Sequence, residues 1–144
     1  MAIIREYRPR LEENGLMVMH SAGIYNTNST RIKNTRQAAD VIGETIGLNT
    51  AGSVIGMFKT SSGSVNACHF DVAGICRKAL LLNAVSIILA HNHPGGSCLP
   101  SPEDMNATEA VQNACKIIGI HFLDHIIIPA FSSNYYSFRE EGDI

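Results

Sequence analysis

"AHNHPGGSCLPSPEDMNAT", residues 90–108, places two histidines, three prolines, two glycines and two adjacent acids directly after a long apolar run. The run that leads into it, "VSIILA" at 85–90, is short, branched and continuous, the pattern of a strand buried on both faces. His91 and His93 follow that strand, and residues two apart on extended backbone point to one side. Two imidazoles are thus delivered to one point, where neutral ring nitrogens hold Zn²⁺ at about 2.0–2.1 Å. Ser101-Pro102-Glu103-Asp104 is also a good helix opening: Ser at the N-cap, Pro in the first helical position and Asp three residues on as a capping-box acceptor. The turn "PGGSCLP" can fold that helix start back against the strand end. A carboxylate in a first helical turn is kept ionised by the backbone dipole, as a metal ligand must be. His91, His93 and Asp104 then make three protein ligands with one position open, the layout of a catalytic rather than a structural zinc site.

Working outward, "MNATEAVQNACKIIGI" keeps Ala107, Val111, Ala114, Cys115 and Ile118 on one side and ends at Gly119, which predicts a helix. "HFLDHIIIPA" reads as another buried strand, and "NYYSFREEGDI" as a closing aromatic strand or turn. Upstream, "DVAGICRKALLLNA" spaces Val72, Ile75, Ala79, Leu80 and Leu82 for a helix that Asp71 can cap. "SVIGMFKTSSGSVNACHF" suggests two strands joined by a Ser/Gly turn, and "NTRQAADVIGETIG" a short helix stopped at Gly47. Residues 1–34, polar with strand-like runs such as "LMVMH", read as an N-terminal arm or edge strands, leaving 35–144 as the main domain. Strands alternating with helices around one sheet make an α/β domain.

The bulk numbers agree. At 144 residues, 45% hydrophobic and 17% charged, the chain is long enough for a real core and too apolar for general disorder. A formal charge of -2 lacks the basic excess that favours non-specific nucleic-acid binding. Cys68, Cys76, Cys98 and Cys115 show no paired spacing, and the charged start "MAIIREYRPRLEENG" lacks a secretory core, so reduced thiols in a cytoplasmic protein are expected. "ALLLNAVSIILA" falls well short of the ~20 residues of a spanning helix, and no membrane partner is expected.

"HNHPGGSCLPSPED" matches H-x-H, seven residues, S-x-x-D, and so resembles the JAB/MPN/JAMM metalloprotease clan, in particular its RadC-like proteins. The resemblance extends over residues 35–144 through "NACHFDVAGICRKALLLNAVSIILAHNHP", "LDHIII" and "YYSFREEGDI". It implies a mixed β-sheet with flanking helices of JAB/MPN, cytidine-deaminase-like architecture. By the same resemblance His91, His93 and Asp104 would hold one Zn²⁺ per chain, and Ser101 would be catalytic, donating a hydrogen bond to the developing oxyanion. Zinc would acidify a bound water and polarise the substrate carbonyl. The implied reaction is hydrolysis of an amide or isopeptide bond in a peptide or protein substrate.

Peptide-cleaving members of the clan use a glutamate on an upstream strand as general base. With "SVIGMFKT" as that strand, counting from the preceding helix puts the position at Gly52, while the other alignment removes the glutamate strand altogether; neither gives an acid. Glu44 is the nearest acid and reads as a solvated helix residue, and Ala73 replaces an arginine usual at the helix start. Loss of a general base commonly removes ~10²–10⁴ in rate. Two readings follow: a RadC-like zinc hydrolase domain, weakened by the missing base, or a JAB/MPN-fold module that binds protein or DNA without catalysis. The DNA-repair label of the family carries the DNA option only by analogy. His125, beside Asp124, is read as one of a hydrogen-bonded pair or as support for the metal site. His20, His69 and His121 are read as structural and Cys98 as a small loop residue. The H-x-E and PCxxC signatures of zinc deaminases are absent.

Overall fold

The described residues of the computed structural model are 2–11, 13, 17–27, 45–58, 70–93, 97–129 and 134–144, with the first two strands described by their backbone. They form strands β1 (Ala2–Leu11), β2 (Met17–Thr27), β3 (Thr45–Leu48), β4 (Val54–Phe58), β5 (Ser86–His93), β6 (His121–Pro129) and β7 (Tyr136–Ser137). The helices are α1 (Val72–Leu81), α2 (Pro102–Ile118) and α3 (Phe138–Glu141). All seven strands join one mixed sheet in the order β2-β1-β4-β3-β5-β6-β7, and the chain is an α/β domain. β5 and β6 are parallel neighbours linked through α2, as a parallel pair requires a long crossover.

Period-2 alternation along β5 sends Ile88 and Ala90 to one face and Ile87 and Leu89 to the other. On the first face Ile88 and Ala90 pack with Ile46, Leu48, Met57 and Ile126. On the second, Ile87 and Leu89 meet Phe58 together with Ile75 and Ala79 of α1 and Val111 and Cys115 of α2. Residues paired across neighbouring strands share a face. The register Phe58–Thr45–Leu89 therefore sets all three toward the helices, and Leu89 is also paired with His125.

The helix starts follow the sequence chemistry. Asp71 accepts from the Gly74 backbone N–H at 2.9 Å, and its carboxylate occupies the space where a Cβ on Gly74 would stand. Ser101 and Asp104 form a reciprocal capping box on α2, Pro102 fills the first helical position, and Gly119 stops the helix at φ 75°, in the left-handed region that favours glycine. Cys76 and Cys98 are half-buried and Cys115 buried, all three as free thiols.

One upstream expectation changes. The end of the predicted helix, Thr45-Ile46-Gly47, is strand β3, because pairing with both β4 and β5 buries each of its residues. Residues 34–44, including Glu44, lie outside the described residues. β4, the first strand of the expected hairpin, pairs with the strand before it, around a turn where Asn49 Oδ1 accepts from the Ala51 and Ser53 N–H groups and Gly52 takes φ 74°. The predicted second strand of that hairpin falls largely on residues 59–69, outside the described residues. Among the described residues, no helix is long and apolar enough to cross a membrane.

Candidate metal centre

β5 runs through the two histidines, so His91 and His93 continue the face of Ile87 and Leu89 that looks toward α2. The first turn of α2 brings Asp104 to them. His91 Nε2 lies 3.2 Å from Asp104 Oδ1 and His93 Nε2 lies 3.2 Å from Asp104 Oδ2. One ligand atom from each of the three residues falls within 4.8 Å of the others, and this cluster could hold a metal ion. Cys98 is not part of it.

Burial is steep across the cluster. The side chain of His93 is 22% exposed, against 6% for His91 and 4% for Asp104, so solvent reaches the centre from the His93 side. Among the described residues, His91 Nε2 has no hydrogen-bond partner, and it is buried. An orphaned ring nitrogen beside a carboxylate suits a cation, and two imidazole nitrogens with one carboxylate oxygen suit Zn²⁺ by donor type.

Electrostatics favour the unprotonated forms of His91 and Asp104. Burial pulls the His91 imidazole down to about 4, against the opposing pull of Asp104 and with the help of His93. Burial works to raise Asp104, but hydrogen bonds from Ser101 and the neighbouring His91 and His93 outweigh it and hold the carboxyl below its ordinary value. Ser101 donates its backbone N–H at 2.8 Å and its hydroxyl at 2.7 Å to Asp104 Oδ2, and accepts from the Asp104 N–H at 3.1 Å. Ser101 thus both caps the helix and holds a ligand.

His125 is fully buried, and burial lowers its imidazole to about 3. The Asp124 carboxylate accepts from the backbone N–H of His125 rather than from its ring, and turns instead to the Ser137 hydroxyl and the Arg139 N–H. The His125 ring meets His91 Nδ1 at 2.8 Å and Thr108 Oγ1 at 2.7 Å. Sequence reasoning missed Thr108. Its signal was a β-branched hydroxyl one helical turn after Asp104, on the same face of α2.

The register also overturns Gly52 as the position for a water-activating carboxylate. The turn that contains Gly52 lies beyond Leu48, which pairs with Ser86 at the opposite end of β5, five residues and roughly 16 Å from His91. The residue of β4 that reaches the site end, on the same face as His91, is Phe58. It is 1% exposed, with Lys78 Nζ 5.5 Å from its ring centroid. Counting from a predicted helix failed because that helix end is a strand.

Fold and site together define an α/β domain with a His-His-Asp cluster where a central strand meets a helix N-terminus. The profile of the RadC-like JAB domain matches residues 21–143, and the chain belongs to that family. It is similar to a UPF0758 protein of Aquifex aeolicus, 46% identical over 80 residues, which cover 56% of this chain and 34% of that protein. A UPF0758 protein of Porphyromonas gingivalis is 42% identical over 95 residues, covering 66% and 41%. One from Carboxydothermus hydrogenoformans is 33% identical over 141 residues, covering 98% and 60%. The chain spans between about a third and six-tenths of the length of these relatives.

Proposed function

We propose that this domain holds one Zn²⁺ on His91, His93 and Asp104 and serves hydrolysis of an amide or isopeptide bond in a peptide or protein substrate. The observation that carries the reading is the buried, partnerless Nε2 of His91 facing Asp104 at 3.2 Å, next to a second histidine on the same carboxylate. Zinc, when bound, supplies Lewis-acid polarisation of a carbonyl and a more acidic water. The chain's own residues do the rest. Asp104 supplies the negative charge, Ser101 orients Asp104, and the partly exposed His93 edge is the side from which substrate enters. By turning its hydroxyl from Asp104 toward substrate, Ser101 would donate to the developing oxyanion.

A second reading is favoured by Phe58. An aromatic ring at the site end of β4 cannot accept a proton from water, which suits a metal-bearing module that recognises a protein partner without cleaving it. The free thiols of Cys76, Cys98 and Cys115 support a cytoplasmic setting for either reading.

Metal content by mass spectrometry, on protein purified without affinity metals, tests the shared premise. About one zinc per chain is expected, with a loss of tenfold or more in His93→Ala; a zinc-free protein that takes up none when supplied would overturn it. A panel of amide- and isopeptide-linked substrates then separates the readings. Turnover that disappears in His93→Ala supports hydrolysis, and zinc without turnover supports the binding module.

A further inference from the structure

The positions of the protons around Asp104 follow from which atoms can donate. Thr108 Oγ1 lies 2.6 Å from the backbone carbonyl oxygen of Asp104 and 2.7 Å from His125 Nδ1. A carbonyl oxygen only accepts, so the one hydroxyl proton of Thr108 goes to it. Thr108 Oγ1 must then accept from His125, which puts the His125 ring proton on Nδ1 and a lone pair on Nε2. That lone pair faces His91 Nδ1 at 2.8 Å and can only accept, so His91 also carries its proton on Nδ1. His91 Nε2 is left as a lone pair, 3.2 Å from Asp104 Oδ1.

His93 differs, because both of its ring nitrogens face acceptors. Its Nδ1 lies 3.2 Å from the Ser97 carbonyl and its Nε2 lies 3.2 Å from Asp104 Oδ2, so its ring can donate to either. At His91, by contrast, a lone pair and a carboxylate oxygen face each other with no proton between them.

We infer that His125 and Thr108 are positioning residues for a divalent cation: the chain Asp104 C=O, Thr108, His125, His91 fixes the tautomer that aims His91 Nε2 at the metal. The inference rests on the metal-centre reading above. Every member is buried, with His125 at 0% and Thr108 at 2% exposure, so water cannot substitute for a missing partner. Aromatic neighbours fix the orientation of the relay ring: His125 stacks on Phe138 at 4.8 Å and 11°, and Phe70 sets an edge-on contact with both His125 and His91, at 5.2 and 5.5 Å. A hydroxyl in mid-helix bonding back to the carbonyl four residues earlier gains the helix little, and here the same oxygen has a second partner to serve.

Thr108→Val keeps the shape and removes the acceptor, while Thr108→Ser restores it. Zn²⁺ affinity of the full chain, measured by chelator competition, is expected to fall 10–100-fold in Thr108→Val and to stay within about threefold of the parent in Thr108→Ser. Nitrogen NMR of the metal-free parent is expected to show His91 and His125 protonated at Nδ1 and bare at Nε2, with mixed tautomers at His91 in Thr108→Val. A parent chain with the proton on His91 Nε2 overturns the inference, whether or not the variants fold. So does a Thr108→Val protein that matches the parent in affinity and ring spectrum. A parent that binds no Zn²⁺ but shows the expected tautomers overturns the metal reading and leaves the relay standing.

Discussion

The helix-facing side of the sheet has two halves, built on opposite principles. On β5, β6 and α2, five polar side chains, His91, His93, Asp104, Thr108 and His125, are joined by hydrogen bonds or close ligand contacts. On β3 and β4, at the same level, stand the buried ring of Phe58 and the buried Thr45 hydroxyl, which has no partner among the described residues. One half brings together side chains that could hold a metal ion. The other is packed as core. Among the described residues, the metal-ligating types of side chain and the apolar ones on this face therefore depend on different strands.

The sharpest way to break the contrast is to place a carboxylate in the apolar half. Phe58→Glu would stand on the face of His91, two strands away, with Lys78 close enough to lessen the cost of the buried charge. If the zinc half is competent, Phe58→Glu is expected to hydrolyse an isopeptide substrate ~10²–10⁴ faster than Phe58→Gln, the uncharged variant of the same shape. Equal rates in the two would show that this position does not activate water.

Acid probes the polar half. His91 titrates near 6.5 in the unfolded chain and near 4 in the fold, so between these values the unfolded chain binds more protons. Metal-free protein should lose stability as pH falls from 6.5 toward 4, on the order of 3 kcal/mol for His91 alone, and His125, lowered to about 3, adds to the loss in the same direction. Urea midpoints at pH 7 and pH 4.5 measure it; equal midpoints would mean that the imidazoles are not held neutral. Saturating zinc should deepen the pH dependence, since protons and metal compete for the same nitrogens.

The smallest effect belongs to Thr45. Removing an orphaned hydroxyl while keeping the β-branched shape should make Thr45→Val about 1 kcal/mol more stable, seen as a higher urea midpoint. A loss of stability would show that the hydroxyl has a partner in the folded protein.

Local chemistry decided much of this protein in advance. Ser101-Pro102-Glu103-Asp104 starts a helix, Gly119 ends it, and the period-2 spacing of His91 and His93 sets both on one face, because caps, left-handed glycines and strand alternation are properties of a few neighbouring residues. Tertiary structure decided the rest. Thr45-Ile46-Gly47 is a strand only because β4 and β5 flank it, and Phe58 rather than Gly52 reaches the site end because register is set by pairing across strands. The link from Asp104 through Thr108 and His125 to His91 joins residues up to 34 positions apart in sequence. No spacing rule predicts which nitrogen of a buried ring holds its proton, because that follows from partners the fold alone brings within 3 Å.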